Sequence, residues 1–190
     1  MMDLFEAIRG RRSCRAYLKD AVEREVVEKI LEAATWAPSP LDSQPWEFLI
    51  VTDQSVKEKI YTEAVRCKEW ALEKSGWKWL GKYGVDFLKT TPVIIAVIGD
   101  PKGTGVDMFM EEGSTGYQLA CGAAIQNMLL AGHALGFGGL WFTLFDKKAM
   151  RKILGVEEKK LPIGLVCIGK PLGAPGAIPR KSFQEKTTWV

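Results

Sequence analysis

Histidine and asparagine occur once each in the 190 residues, and the four cysteines are scattered with no Cys-x-x-Cys pair. A zinc knuckle and a redox dithiol both need closely spaced ligands or thiols, so this spacing excludes them. Cys14, Cys67, Cys121 and Cys167 read instead as reduced and mostly buried thiols. The lone His133 falls inside a long apolar helical pattern, which marks a packed residue rather than the base of a Ser-His-acid triad. An excess of one charge is also missing. Lys and Arg number 26 against 23 Asp and Glu, a net charge of +3, with no basic tract, so a nucleic acid is not the expected partner. The longest apolar pattern is interrupted by Gln118, Gln126, Asn127 and His133 and does not read as a membrane span. The Met1 to Arg11 stretch carries acids and lacks a signal-peptide core, which gives a cytoplasmic protein as the expectation. Scarce asparagine beside abundant Lys and Glu hints at a heat-tolerant source.

What the chain does have is enough apolar content, 47%, for one sizeable core, and a single domain over residues 1–190 is expected. Leu4, Phe5 and Ile8 share one face of a short helix ending near Gly10. Val26, Val27, Ile30, Leu31 and Ala34 mark a second helix, with Asp20 and Glu23 spaced for a capping box. Phe48 to Thr52 reads as a strand and Ser55 to about Lys74 as a helix. Trp70, Trp77, Trp79, Tyr83 and Phe87 follow; core packing explains most such aromatics, with a flap over a planar ligand as the alternative. Val93 to Ile98 is apolar without alternation, as a strand covered on both faces requires. A helix from Glu112 to Leu135 has small faces at Gly113, Gly116, Gly122, Ala123, Ala124, Ala131 and Gly132. Strands at Gly138 to Phe145 and Leu161 to Gly169 flank a helix near Lys147 to Leu154. The sum is an α/β three-layer sandwich, a central mixed sheet between helices. The tail from Lys170 to Val190 is too long for an ordinary loop and needs a surface to lie on, unless it is a frayed end.

Two segments could carry chemistry. Arg11, Arg12, Ser13 and Arg15 crowd three guanidinium groups and a hydroxyl behind Gly10, a set able to hold a phosphate monoester, although basic clusters are more often solvated surface. Pro38, Ser39, Pro40, Asp42, Ser43 and Gln44 form a proline-fixed polar edge suited to a ligand rich in heteroatoms, or simply a turn entering a strand. Gly136 to Gly139 follows a helix and precedes a strand, the reverse of a dinucleotide fingerprint, so no Rossmann site is expected.

These two segments, together with Gly139 to Asp146 after the small-residue helix and a late Pro179-Arg180-Lys181, resemble the nitroreductase family of FMN-dependent enzymes in order and spacing over nearly the whole chain. The resemblance implies a homodimer with FMN in two interface clefts. It also implies electron transfer from NADH or NADPH to a small acceptor such as a nitroaromatic or quinone, with no catalytic side chain because the flavin carries the chemistry. Arg11, Arg12 and Ser13 match phosphate and ribityl contacts, and Arg180 and Lys181 match the late phosphate contacts. Arg15 matches the cation at the N1 and O2 edge, where charge accumulates on reduction. Pro38, Ser39, Pro40, Asp42 and Gln44 match the segment lining the ring and ribityl; Thr143 and Leu144 match the turn whose amide approaches N5. Asp42 stands where Asn is common, and Thr143-Leu144 where a glycine-containing pair is usual. Ene reduction, reductive dehalogenation, flavin breakdown and non-catalytic flavin binding are the alternatives on this scaffold. The resemblance also carries the 170–190 arm across to the partner subunit.

Overall fold

The computed structural model describes residues 2–110, 114–173, 176 and 178–190. Helix α1, Leu4–Gly10, opens with a capping box: the Asp3 carboxylate accepts from the Phe5 and Glu6 amides at 2.9 and 3.3 Å, and Glu6 accepts from the Asp3 amide. The capping box expected at Asp20 and Glu23 is absent. Helix α2, Arg24–Thr35, starts at Glu23 with no side-chain cap, and Asp20 lies near Lys170 instead. Strand β1, Trp46–Val51, leads into α3, Gln54–Ser75, which Asp53 caps and Gly76, at φ 65°, closes in the left-handed conformation. Short helices α4, Lys78–Lys82, and α5, Phe87–Thr90, precede β2, Val93–Gly99.

Helix α6, Gly116–Ala134, begins later than its apolar pattern suggests; Glu112 and Gly113 lie outside the described residues. The start is fixed by Asp107, whose carboxylate accepts from the Gly116 amide at 3.1 Å and from the Ser114 hydroxyl. A side chain at position 116 would put its Cβ 2.2 Å from the Thr104 carbonyl oxygen, so glycine is needed for this close approach. Strand β3, Gly138–Phe142, helix α7, Lys147–Leu154, and strand β4, Leu161–Gly169, complete the order.

The sheet runs β1-β2-β4-β3 with every pairing among these strands antiparallel. β2 and β3 share a direction, as a helical crossover through α6 requires, but β4 lies between them. Among the described residues parallel pairing enters only at the Ser13–Gly139 bridge, so the mixed character expected of the sheet is confined to that contact. The sheet is the middle layer. Val93, Ile95 and Val97 face a core with Ile30, Ala124 and Met128 of α2 and α6; Ile94, Ala96 and Ile98 face a second core with Ile60, Ala64 and Met150 of α3 and α7. Burial on both faces explains why the β2 sequence shows no alternation. Among the described residues no helix is long and apolar enough to cross a membrane.

Candidate functional site

After α1 the chain straightens along β3: Ser13 bridges Gly139 and the Cys14 amide donates to the Gly139 carbonyl at 3.0 Å. Gly138 permits this contact, since a Cβ there would sit 2.7 Å from the Cys14 side chain. The next residues pair with the start of the C-terminal arm, Leu18 N–H to Lys170 O and Leu172 N–H to Ala16 O, both at 2.9 Å. This lays the arm beside the arginine segment. Arg180 comes within electrostatic reach of Arg11, and burial, Arg180 and Arg12 together lower the Arg11 pKa. Arg12 Nη1 donates to the Arg9 and Arg11 carbonyls, but its buried Nε has no hydrogen-bond partner among the described residues. A buried guanidinium N–H left unpaired beside a further cation is costly, and an anion with several acceptor oxygens would relieve both defects.

His133, in the last turn of α6, packs against Gly10, and burial, Arg11 and Arg12 lower its pKa. Its charged neighbours are cations, which cannot orient a catalytic base. Arg15 turns away from this cluster. Its Nε reaches the Tyr83 hydroxyl at 3.4 Å, and its guanidinium carbon lies 5.4 Å from the Tyr83 ring centroid. Tyr83 continues into Trp79 and Trp77, with successive ring centroids 6.1 Å apart. Core packing accounts for Phe87 but not for Trp70, Trp77 and Trp79, which are 58%, 58% and 57% exposed.

Of the two readings of the Pro38 to Gln44 segment, an extended polar edge or a turn entering a strand, the structure shows the turn. The segment closes as a tight 3-10 turn, Pro40–Asp42, with Leu41, Asp42 and Gln44 at φ 52°, 52° and 44°. Three non-glycine residues in the left-handed region store strain, a pattern concentrated at functional sites. Ser39 Oγ accepts from the Gln44 amide, and Gln44 Nε2 donates to Asp42 Oδ1, both at 3.1 Å. The Asp42 carboxylate thereby takes a donor from within the loop.

This loop packs on Gly103 and Gly105, and Thr104 in turn abuts Gly116, the first residue of α6. The arginine cluster abuts His133 in the helix's last turn. At about 1.5 Å per residue, positions 116 and 133 are roughly 25 Å apart along the axis. A single chain therefore does not bring the two groups together. Lys181 is exposed.

Thr143 and Leu144 lie just beyond β3, which ends at Phe142 and not at Phe145 because the Phe145 amide turns back to the Thr143 carbonyl at 2.9 Å and Asp146 caps α7. With Phe145 and Asp146 they line one wall of a cleft of about 280 Å³; Arg66, Cys67, Trp70 and Ala71 of α3 form the other. Glu63, which no sequence motif marks, is buried beneath it. Its carboxylate takes both Arg66 donors at 2.7 and 2.8 Å and the Asp146 amide at 3.0 Å. These bonds, led by Arg66, pull its pKa from 4.5 to about 2. Because the folded value lies below the unfolded one, the stabilisation is complete above about pH 4.5 and is lost as pH falls toward 2. Urea titrations should show Glu63→Gln insensitive to that part of the acid loss, on the order of 2–3 kcal/mol in the parent protein. Identical pH profiles for the two proteins would contradict it. Cys14, Cys121 and Cys167 are buried and Cys67 is half-buried, and burial pushes the Cys121 and Cys167 thiols up to about 12.

Residues 8–170 match the Nitroreductase family. A Methanothermobacter thermautotrophicus protein named for NADH dehydrogenase/NAD(P)H nitroreductase activity is 32% identical over 92% of this chain and 81% of its own length. The iodotyrosine deiodinase of Haliscomenobacter hydrossis is 30% identical, covering 93% of this chain and 82% of that protein. A Desulfovibrio desulfuricans protein described as a nitroreductase, solved in complex with FMN, superposes with a TM-score of 0.76 at 28% identity, over 100% of this chain and 98% of that one. Fold, profile and full-length similarity agree: the chain belongs to the nitroreductase family.

Proposed function

We propose that the protein is an FMN-dependent oxidoreductase that carries electrons from NADH or NADPH to a small acceptor, with each site built from two copies of the chain. The observation that carries this reading is the arginine cluster: Arg12 Nε has no hydrogen-bond partner among the described residues, and Arg11 lies in the field of Arg12 and Arg180, an arrangement that favours a phosphate group. In this reading Arg11, Arg12, Ser13, Arg180 and Lys181 hold the FMN phosphate and ribityl of one site. Arg15 faces the N1 and O2 edge, the Thr143 and Leu144 turn lies by N5, and Pro38, Ser39, Pro40, Asp42 and Gln44 come from the second chain. Bound FMN would supply hydride exchange at N5; the protein's part is to fix the ring, set its electrostatics and admit donor and acceptor in turn.

The separation of the two groups along α6 supports a dimer. A two-fold axis crossing the helix, with two copies antiparallel, brings the arginine end of one chain to the Ser39–Gln44 end of the other. Apolar surface supports this geometry. Leu119 is 72% exposed on α6, Leu4, Phe5 and Ile8 are exposed beside the arginine end, and Leu41, Phe109 and Met110 beside the loop end. Such concentrated apolar exposure marks an interface. Among the described residues no strand pairs with the outer edge of β1, where Leu49 and Ile50 are exposed, and residues 178–190 are exposed in the single chain. An arm from a partner, ending in Phe183 and Trp189, would satisfy both.

The test is the absorbance spectrum of purified, FMN-loaded protein before and after anaerobic NADH or NADPH. Bleaching of bound flavin is expected, with ping-pong kinetics once an acceptor is added; flavin that neither donor reduces would indicate a binding protein without this activity. Reductive dehalogenation is the second reading, supported by the 30% identical relative named iodotyrosine deiodinase, and a panel including halogenated phenols separates it from nitro and quinone reduction. Acceptor choice should depend on the exposed aromatic row. Trp79→Ala, which removes the ring linking Trp77 to Tyr83, is expected to change the ratio of kcat/KM between large and small acceptors severalfold. Unchanged ratios would mean that the row does not touch the acceptor.

A further inference from the structure

We infer that Glu63 is a positioning residue for the Thr143–Leu144 turn, an inference that rests on the reading of that turn as the neighbour of flavin N5. Glu63 is only 7% exposed, and its two oxygens take four donors: Arg66 Nε, Arg66 Nη2, the Cys67 thiol and the Asp146 amide. The first three come from its own helix. The fourth crosses from α3 to the segment joining β3 to α7, the far side of the cleft that Thr143 and Leu144 line.

An ion pair serving helix stability alone has no need of this burial. Arg66 is 57% exposed and could be solvated without a partner, whereas withdrawing a carboxylate from water costs more than an ordinary surface pair returns. What burial adds is the hold on Asp146. That residue is fixed twice, its amide by Glu63 and its carboxylate by the Ala149 amide at 2.8 Å, while the Phe145 amide closes on the Thr143 carbonyl. Two residues back along the chain, the Leu144 amide has little freedom left. The permanent charge of Glu63 favours this bond, because a carboxylate accepts from an amide more strongly than a neutral group does. Cys67, its thiol pushed up to about 11 by burial and Glu63, stays a protonated donor on the same oxygen. If hydride transfer depends on where that turn lies, displacement of the turn slows the transfer while leaving the phosphate grip intact.

The experiment compares parent, Glu63→Ala, Glu63→Gln, Glu63→Asp and Ile60→Ala, each loaded with FMN, by stopped-flow reduction with NADH or NADPH and by FMN dissociation constant. Glu63→Ala is expected to slow reduction by about tenfold or more with FMN affinity within about twofold of the parent. Glu63→Gln, which keeps an acceptor for the Asp146 amide, should recover most of the rate; Glu63→Asp, which keeps the charge but draws it back by one methylene, should be slow and serves if the alanine variant does not fold. Ile60→Ala loosens the same helix at a core position and should leave the rate unchanged. Parent-like reduction by Glu63→Ala and Glu63→Asp would overturn the inference, as would a glutamine variant as slow as alanine or equal slowing by Ile60→Ala. A parent protein that takes up no FMN would overturn the functional reading itself and this inference with it, whereas a parent that binds and reduces FMN normally confines any failure to Glu63.

Discussion

Arg12→Ala is expected to weaken FMN binding by about 2–5 kcal/mol, a loss of roughly thirtyfold to several thousandfold, with little change in the hydride-transfer rate of protein that remains loaded. The magnitude follows from the Nε of Arg12, buried without a partner among the described residues and beside Arg11, which Arg180 also faces. Losing one donor to a dianion leaves the others less able to hold it. Arg15→Ala should behave in the opposite way, because its side chain leaves the cluster and lies over Tyr83. There it is expected to slow reduction more than it weakens retention. FMN fluorescence and stopped-flow absorbance on both variants measure the two quantities, and equal effects on both would contradict this division of roles.

Truncation after Gly169 is expected to have the second large effect, lowering FMN affinity by more than about a hundredfold and destabilising the dimer together with it. The cut removes Arg180 and also the two backbone bonds by which residues 170–172 hold Ala16 and Leu18, so the arginine segment loses its flank. A second truncation after Gly173 keeps those bonds and isolates the rest of the arm. Of its described residues, 176 and 178–190 are exposed in one chain, and Trp189 is 91% exposed. If FMN binds only the assembled site, ligand and partner stabilise each other, and both truncated proteins should show a dimer constant that no longer responds to FMN. Analytical ultracentrifugation with and without FMN tests this. A shortened protein that remains a tight FMN-binding dimer would make the arm a dispensable end.

The layers of the fold were legible because local pattern and final burial coincide. The unbroken apolar run at Val93 to Ile98 suited a strand covered on both sides, and the two cores that share β2 bear this out. Boundaries failed where a distant residue sets them. The start of α6 depends on Asp107, and the end of β3 on a turn held from α3 by Glu63; neither contact leaves a periodic trace. A turn was one of the two readings of the Pro38 to Gln44 segment, but prolines that permit either an extended or a folded path gave no sign that Leu41, Asp42 and Gln44 would be left-handed. For the site, the Arg11–Arg15 and Pro38–Gln44 segments stood out by composition. Their separation along α6 did not, since a crossover helix gives no sign in sequence of which loops gather at which end.

Mixing two damaged chains tests the shared site most directly. One variant carries Arg11→Ala and Arg12→Ala, the other Ser39→Ala and Gln44→Ala, and each alone should bind FMN poorly. When the two are unfolded together and refolded, a mixed dimer contains one site with both ends damaged and one with both ends intact. Recovery of tight FMN binding toward one flavin per mixed dimer, with NAD(P)H-dependent bleaching, is the expected result. Binding that stays at the level of the separate variants, in a preparation shown to contain mixed dimers, would mean that the arginine cluster and the Ser39–Gln44 loop do not meet across two chains.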